Sequence, residues 1–123
     1  MTVELGFAGE KLIGHELGFT VRLDFSGGYE VRVETGFTVR TADGDHRVVP
    51  GRDDGGGAAL DALTGRVVTV ATADDAGGLR IDLDGGARVL AEADPEYEAW
   101  TVAGPGGMKV VSLPGGGLSV WSS

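Results

Sequence analysis

Residues 21–34 read VRLDFSGGYEVRVE, and residues 79–92 read LRIDLDGGARVLAE, so the second stretch restates the first at a constant offset of 58. Six of fourteen positions are identical: Arg22/Arg80, Asp24/Asp82, Gly27/Gly85, Gly28/Gly86, Val31/Val89 and Glu34/Glu92. Apolar and polar residues alternate on either side of each Gly-Gly pair, as Val21, Leu23 and Phe25 do against Arg22 and Asp24. That period of two belongs to a half-buried antiparallel hairpin, and the glycines supply the positive backbone angles its turn needs. A two-residue loop would set Leu23 opposite Arg32, whereas an odd loop keeps the apolar sets on one face. The pattern therefore predicts odd loops, with Leu23, Val31, Ile81 and Val89 facing the core.

The repeat extends outward in both directions. Upstream, Phe7-Ala8-Gly9-Glu10-Lys11-Leu12 resembles Leu63-Thr64-Gly65-Arg66-Val67-Val68. Downstream, Phe37-Thr38-Val39 matches Trp100-Thr101-Val102, and Val48-Val49-Pro50-Gly51 aligns with Val110-Val111 and Pro114-Gly115 if two extra residues precede the second proline. Further strands read as 36–41, 46–49, 66–73, 99–103, 109–113 and 118–122, each bounded by Gly, Pro or Asp. One short helix is expected over 58–63, with Asp53 or Asp54 as its cap, inside a Gly- and Asp-rich linker spanning 52–62.

These elements predict an all-β chain of internally duplicated antiparallel sheets, a pseudo-twofold sandwich or a barrel-like closure, with one short linking helix. Each half, about 5–51 and 63–121, is too small to bury a sufficient core alone, so 1–123 reads as a single domain whose halves share one core.

Composition narrows the function. The formal charge is −9, which disfavours phosphate backbones, and the chain has no cysteine for disulfides, thiol catalysis or a zinc finger. No apolar run reaches the ~18 residues of a membrane span, and the N-terminal residues lack a secretion-signal pattern, so a cytoplasmic protein without nucleic-acid or membrane partners is expected.

The motifs that could carry chemistry are incomplete. Asp82-Leu83-Asp84-Gly85 and Asp43-Gly44-Asp45-His46 are fragments of a calcium loop without its further ligands. His15 and His46 stand alone, no Gly-x-Ser-x-Gly elbow precedes a nucleophile, and Gly104-Pro105-Gly106-Gly107-Met108-Lys109 lacks the Ser or Thr of a phosphate loop. Glu96 and Glu98 are a carboxylate pair with nothing to tune them. No catalytic residue, metal site or cofactor is assigned.

What remains is what the second half has and the first lacks. Tyr97, Glu98 and Trp121 have no partner in the first half, and Trp100 replaces Phe37. These four are the candidate binding residues, because aromatic side chains dominate contact energy where they line an interface. A core position is the competing reading for both tryptophans, and the preferred one for Trp100.

Here the chain resembles a family of small actinobacterial proteins of unknown function, through Tyr97-Glu98-Ala99-Trp100, Val110-Val111, Pro114-Gly115-Gly116 and Val120-Trp121. The absence of Asn and Gln fits a GC-rich bacterial source. The resemblance implies no activity, ligand or catalytic residue. Size and charge point first to a non-enzymatic module that binds another protein, an immunity-type inhibitor of a basic partner being one form. A small-molecule binder using a β-barrel interior and a hydrolase-like enzyme are the alternatives. The segment Leu118-Ser119-Val120-Trp121, apolar on both sides at an unclosed edge, predicts a homodimer.

Overall fold

The computed structural model describes residues 2–52 and 56–121. The stretch 21–34 forms β3 (Val21–Phe25) and β4 (Tyr29–Val33), and 79–92 forms β8 (Leu79–Leu83) and β9 (Ala87–Ala91). Each loop has three residues, closing Phe25 against Tyr29 and Leu83 against Ala87, so Leu23 pairs with Val31 and Ile81 with Val89. All four of those side chains are buried. The odd loop requires two successive residues at positive φ: Gly27 and Gly28 at 80° and 83°, Gly85 and Gly86 at 78° and 81°.

Around these hairpins run β1 (Thr2–Glu4), β2 (Leu12–Leu17), β5 (Phe37–Thr41), β6 (Gly44–Val48), β7 (Val68–Asp74), β10 (Trp100–Ala103), β11 (Lys109–Ser112) and β12 (Leu118–Trp121). They make two six-stranded antiparallel sheets, ordered β1-β7-β8-β9-β5-β6 and β12-β11-β10-β4-β3-β2. Each sheet takes three strands from each half: β7-β8-β9 lies between β1 and the β5–β6 hairpin, and β2-β3-β4 lies beside β10-β11-β12. The arrangement is a sandwich and not a closed barrel. The space between the sheets is filled by Phe7, Leu12, Leu23, Phe37, Leu60, Leu63, Ile81, Trp100 and their apolar neighbours, so among the described residues a packed core stands where the barrel interior of a small-molecule binder is expected.

The halves meet at a seam with the same twofold logic. Gly9 N donates to Val68 O at 2.7 Å and Gly65 N to Leu12 O at 2.7 Å, while Val68 N and Leu12 N return bonds to Glu10 O and Arg66 O. Both β2 and β7 carry a bulge at matching places, Leu12/Gly14 and Val68/Val70. That bulge explains why 12–17 does not alternate as a sequence: Leu12 is buried, and Ile13, the residue the bulge leaves unpaired, is exposed.

Two expectations shift. The helix α1 spans Gly56–Asp61 and starts two residues earlier than its apolar pattern suggested, although Leu60 and Leu63 are both buried as that pattern requires. The proposed caps Asp53 and Asp54 lie outside the described residues. The second shift is in register. Phe37 pairs with Val48, and Thr101 pairs with Val111, so Ser112 holds the place of Val48. The extra residue of the second half therefore sits in the β10–β11 turn, and Val49-Pro50-Gly51 corresponds to Leu113-Pro114-Gly115 with no insertion before the proline.

Candidate functional site

The outward faces of the sheets are ion-paired and leave few exposed apolar side chains. In one sheet Arg22 sits among Asp24, Glu16 and Glu30, at 3.1, 3.4 and 3.7 Å. In the other, Asp82 sits between Arg80 and Arg88, each at 2.6 Å. The hydrogen bond from Arg80 holds the Asp82 carboxyl below the usual carboxylate range, burial opposes that, and Arg88 adds to the lowering. Asp45 is lowered in the same way by its hydrogen bond from Arg40. Charge paired in this way belongs to a solvated structural face.

Against that background the exposed large apolar residues are Ile13, Phe19, Tyr97, Val120 and Trp121. Phe19 is 94% exposed and Tyr97 65%. Phe19 lies in the turn Gly18-Phe19-Thr20 that joins Leu17 to Val21, between two surface hollows. One, about 330 Å³, is walled by Leu17, Val21, Val49 and Pro50, with Arg52 at its rim. The other, about 410 Å³, is lined by Phe19, Thr20, Glu34, Thr35, Tyr97 and Glu98. Gly51 N donates to Gly18 O at 2.7 Å and ties the Phe19 turn to the Pro50 turn.

Tyr97 and Glu98 reach this place because Asp94 folds the chain before β10. Its carboxylate accepts from the Glu96 and Tyr97 amides at 2.9 and 3.1 Å, and its carbonyl accepts from Gly115 N at 2.8 Å. The turn is thus held by Asp94, which leaves the Glu98 carboxylate available.

The four candidate residues fall into three places. Tyr97 and Glu98 share the second hollow. Trp100 is fully buried, its Nε1–H donating to Gly77 O at 2.9 Å, so it belongs to the core and presents no ring edge. Trp121 is half-exposed on edge strand β12, opposite Lys109, whose Nζ lies 5.8 Å from the ring centroid. That end of the sheet is opposite the one where β10 begins with Trp100.

Phe19 was not among the sequence candidates, although the same comparison of halves, run in the other direction, finds it. Counting back two residues from β3 gives Phe19, and counting back two from β8 gives Gly77. In the second-half turn Gly77 is buried: its carbonyl also accepts from the Ser112 hydroxyl at 2.8 Å, and a Cβ on it would meet Ala93 Cβ and Ser112 Oγ, both at 2.9 Å. A large side chain has no room there, whereas the equivalent turn of the first half projects one into water.

The histidines do not assemble a hydrolytic site. His15 Nε2 lies 3.6 Å from Asp61, and His46 Nε2 lies 3.3 Å from Thr41 Oγ1. Among the described residues neither contacts Glu96, Glu98 or a serine, and no three His, Cys, Asp or Glu side chains gather as a metal site. Among them, too, no helix is long and apolar enough to cross a membrane.

Residues 3–122 match a family of unknown function, DUF6188, and the chain belongs to that family. No curated protein and no solved structure matches it.

Proposed function

We propose that this family member is a non-enzymatic module that binds another protein through the surface around Phe19 and Tyr97. The observation that carries the reading is Phe19 itself, 94% exposed between two hollows and the most exposed large apolar side chain among the described residues. Burying such a ring is worth about 1.5–3 kcal/mol, and large aromatic side chains are what interfaces use as anchors. The net charge of −9 favours a basic partner, which supports the finer reading of an immunity-type inhibitor.

The test is capture from the native cell extract over a salt series, with wild type and the Phe19→Ser and Tyr97→Ser variants side by side. The reading expects one partner that both substitutions release and that weakens with salt. A partner retained equally by all three proteins would refute it.

Self-association is a second, separate reading, supported by β12. Its outer edge has no neighbour in the sheet, and Val120 and Trp121 are 54% and 51% exposed. A second chain adding its own β12 antiparallel would extend the sheet and cover both side chains. Light scattering at high micromolar concentration should give twice 12.6 kDa, and a clean monomer there would retire this reading.

A further inference from the structure

We infer that the hollow between Phe19 and Tyr97 takes an arginine side chain of the protein partner; this rests on the docking reading above and specifies its chemistry. The hollow combines two aromatic residues, Phe19 and Tyr97, with two carboxylates, Glu34 and Glu98, and the threonines Thr20 and Thr35. No cation lines it, and among the described residues neither carboxylate makes an ion pair. Other carboxylates of the same sheet differ, since Asp24, Glu30 and Glu16 are all engaged by Arg22 or Arg32. Arg52, the nearest cation on the other side of Phe19, belongs to the first hollow.

In the other half of the molecule the corresponding hollow contains an arginine. Glu92, the counterpart of Glu34, lines its hollow together with Arg47 of the same chain, whose guanidinium lies beside Gly36 and bonds Thr38 Oγ1. By strand register the counterpart of Arg47 is Val111, because Arg47 pairs with Thr38 and Val111 with the equivalent Thr101. Val111 is buried and carries no charge. The hollow of Glu34 is therefore left without the guanidinium that lines the hollow of its twin, at the place where Phe19 and Tyr97 are exposed.

The chemistry selects among occupants. An apolar side chain closing this hollow would desolvate two carboxylates without a counter-ion, which is costly. Lysine supplies charge but only a compact ammonium. A guanidinium is flat, stacks on aromatic faces, and offers five donors in a fork that suits carboxylate oxygens.

The experiment is an amide NMR titration of the full chain with three blocked peptides: Leu-Arg-Leu, Leu-Lys-Leu and Leu-citrulline-Leu. Citrulline keeps the shape of arginine and removes its charge. The expected result is saturable shifts confined to residues 19–20, 34–35 and 97–98 with the arginine peptide, about fivefold weaker binding with lysine, and no saturation with citrulline. The double variant Glu34→Gln/Glu98→Gln, at two exposed positions, should weaken the arginine peptide about tenfold or more. Equal responses to arginine and citrulline, or shifts spread over the whole acidic surface, would overturn the inference with no variant needed. If Phe19→Ser releases a captured partner while the peptides show no preference for arginine, the arginine site falls and the docking reading stands.

Discussion

Replacing Trp100 by Phe and Ser112 by Val would give the second half the residues that the first half has at the same places, Phe37 and Val48. In the native protein both side chains donate to one buried acceptor, the Gly77 carbonyl, at 2.9 and 2.8 Å. Trp100→Phe removes one bond, worth about 1 kcal/mol, and leaves a gap beside the smaller ring worth about 1–2 kcal/mol, so about 2–3 kcal/mol is expected. Ser112→Val alone should cost less than about 1 kcal/mol, because the indole still satisfies the carbonyl and a hydroxyl is exchanged for apolar volume. In the double variant nothing donates to Gly77 O, and an orphaned buried acceptor adds about 1–3 kcal/mol beyond the sum of the single effects. Urea unfolding followed by circular dichroism measures the cycle, with Trp121 as a fluorescence probe that survives in every variant. Additivity within about 0.5 kcal/mol would refute the claim that the two donors share one acceptor whose satisfaction holds the turn down.

Three further outcomes follow from the same geometry. Gly86→Ala should destabilise by about 1–2 kcal/mol through its backbone alone, since φ is 81° and no atom lies within 4 Å of the added methyl; a change below about 0.3 kcal/mol in urea unfolding would contradict this. Asp82 has a lowered folded-state pKa, so its contribution is present above the ordinary carboxylate pKa and disappears as pH falls through the lower folded value; Asp82→Asn should therefore reduce stability at pH 7 and flatten part of the loss between about pH 5 and 2. A variant with the same acid limb as wild type in thermal melts would count against it. Phe19→Ser should leave stability within about 0.5 kcal/mol, because the ring is 94% exposed, and a larger loss would mean the ring packs in the free protein.

The fold was legible where two signals coincided. The offset of 58 and the alternation around each Gly-Gly pair fixed hairpins, loop parity and inward faces together, because a strand slipped by one residue would turn every apolar side chain to water. Legibility failed where identical letters carry different phase. Val48-Val49 and Val110-Val111 look alike, yet the β5–β6 turn is one residue shorter than the β10–β11 turn, so Val48 stands where Ser112 does. Strand β2 was obscured for a related reason, its bulge breaking the alternation at Ile13. At the site, Tyr97 and Glu98 were readable as residues without a counterpart, while Phe19 and Glu34 were not. Phe19 emerges only from asking what the first half has and the second lacks, and Glu34 is identical to Glu92 in sequence but has Val111, distant in the chain, at the register position that Arg47 holds beside Glu92.

The core and the surface are linked through the same pair of turns. A buried carbonyl needs a donor, and in the second half Trp100 and Ser112 provide two, which lets the turn before β8 press down onto the sandwich. Phe37 and Val48 have no side-chain donor, so a turn laid against them would bury the carbonyl of Phe19 unpaired. That turn is instead held outside, tied by Gly18 O to the Gly51 amide, and there it can carry a large side chain that no glycine-tight contact excludes. The exposure of Phe19 is thus a consequence of which residues occupy the core of each half. The two halves present two equivalent turns on one sandwich, and the exchange of two donors for two apolar residues accounts for one turn lying against the core while the other holds its large side chain in solvent.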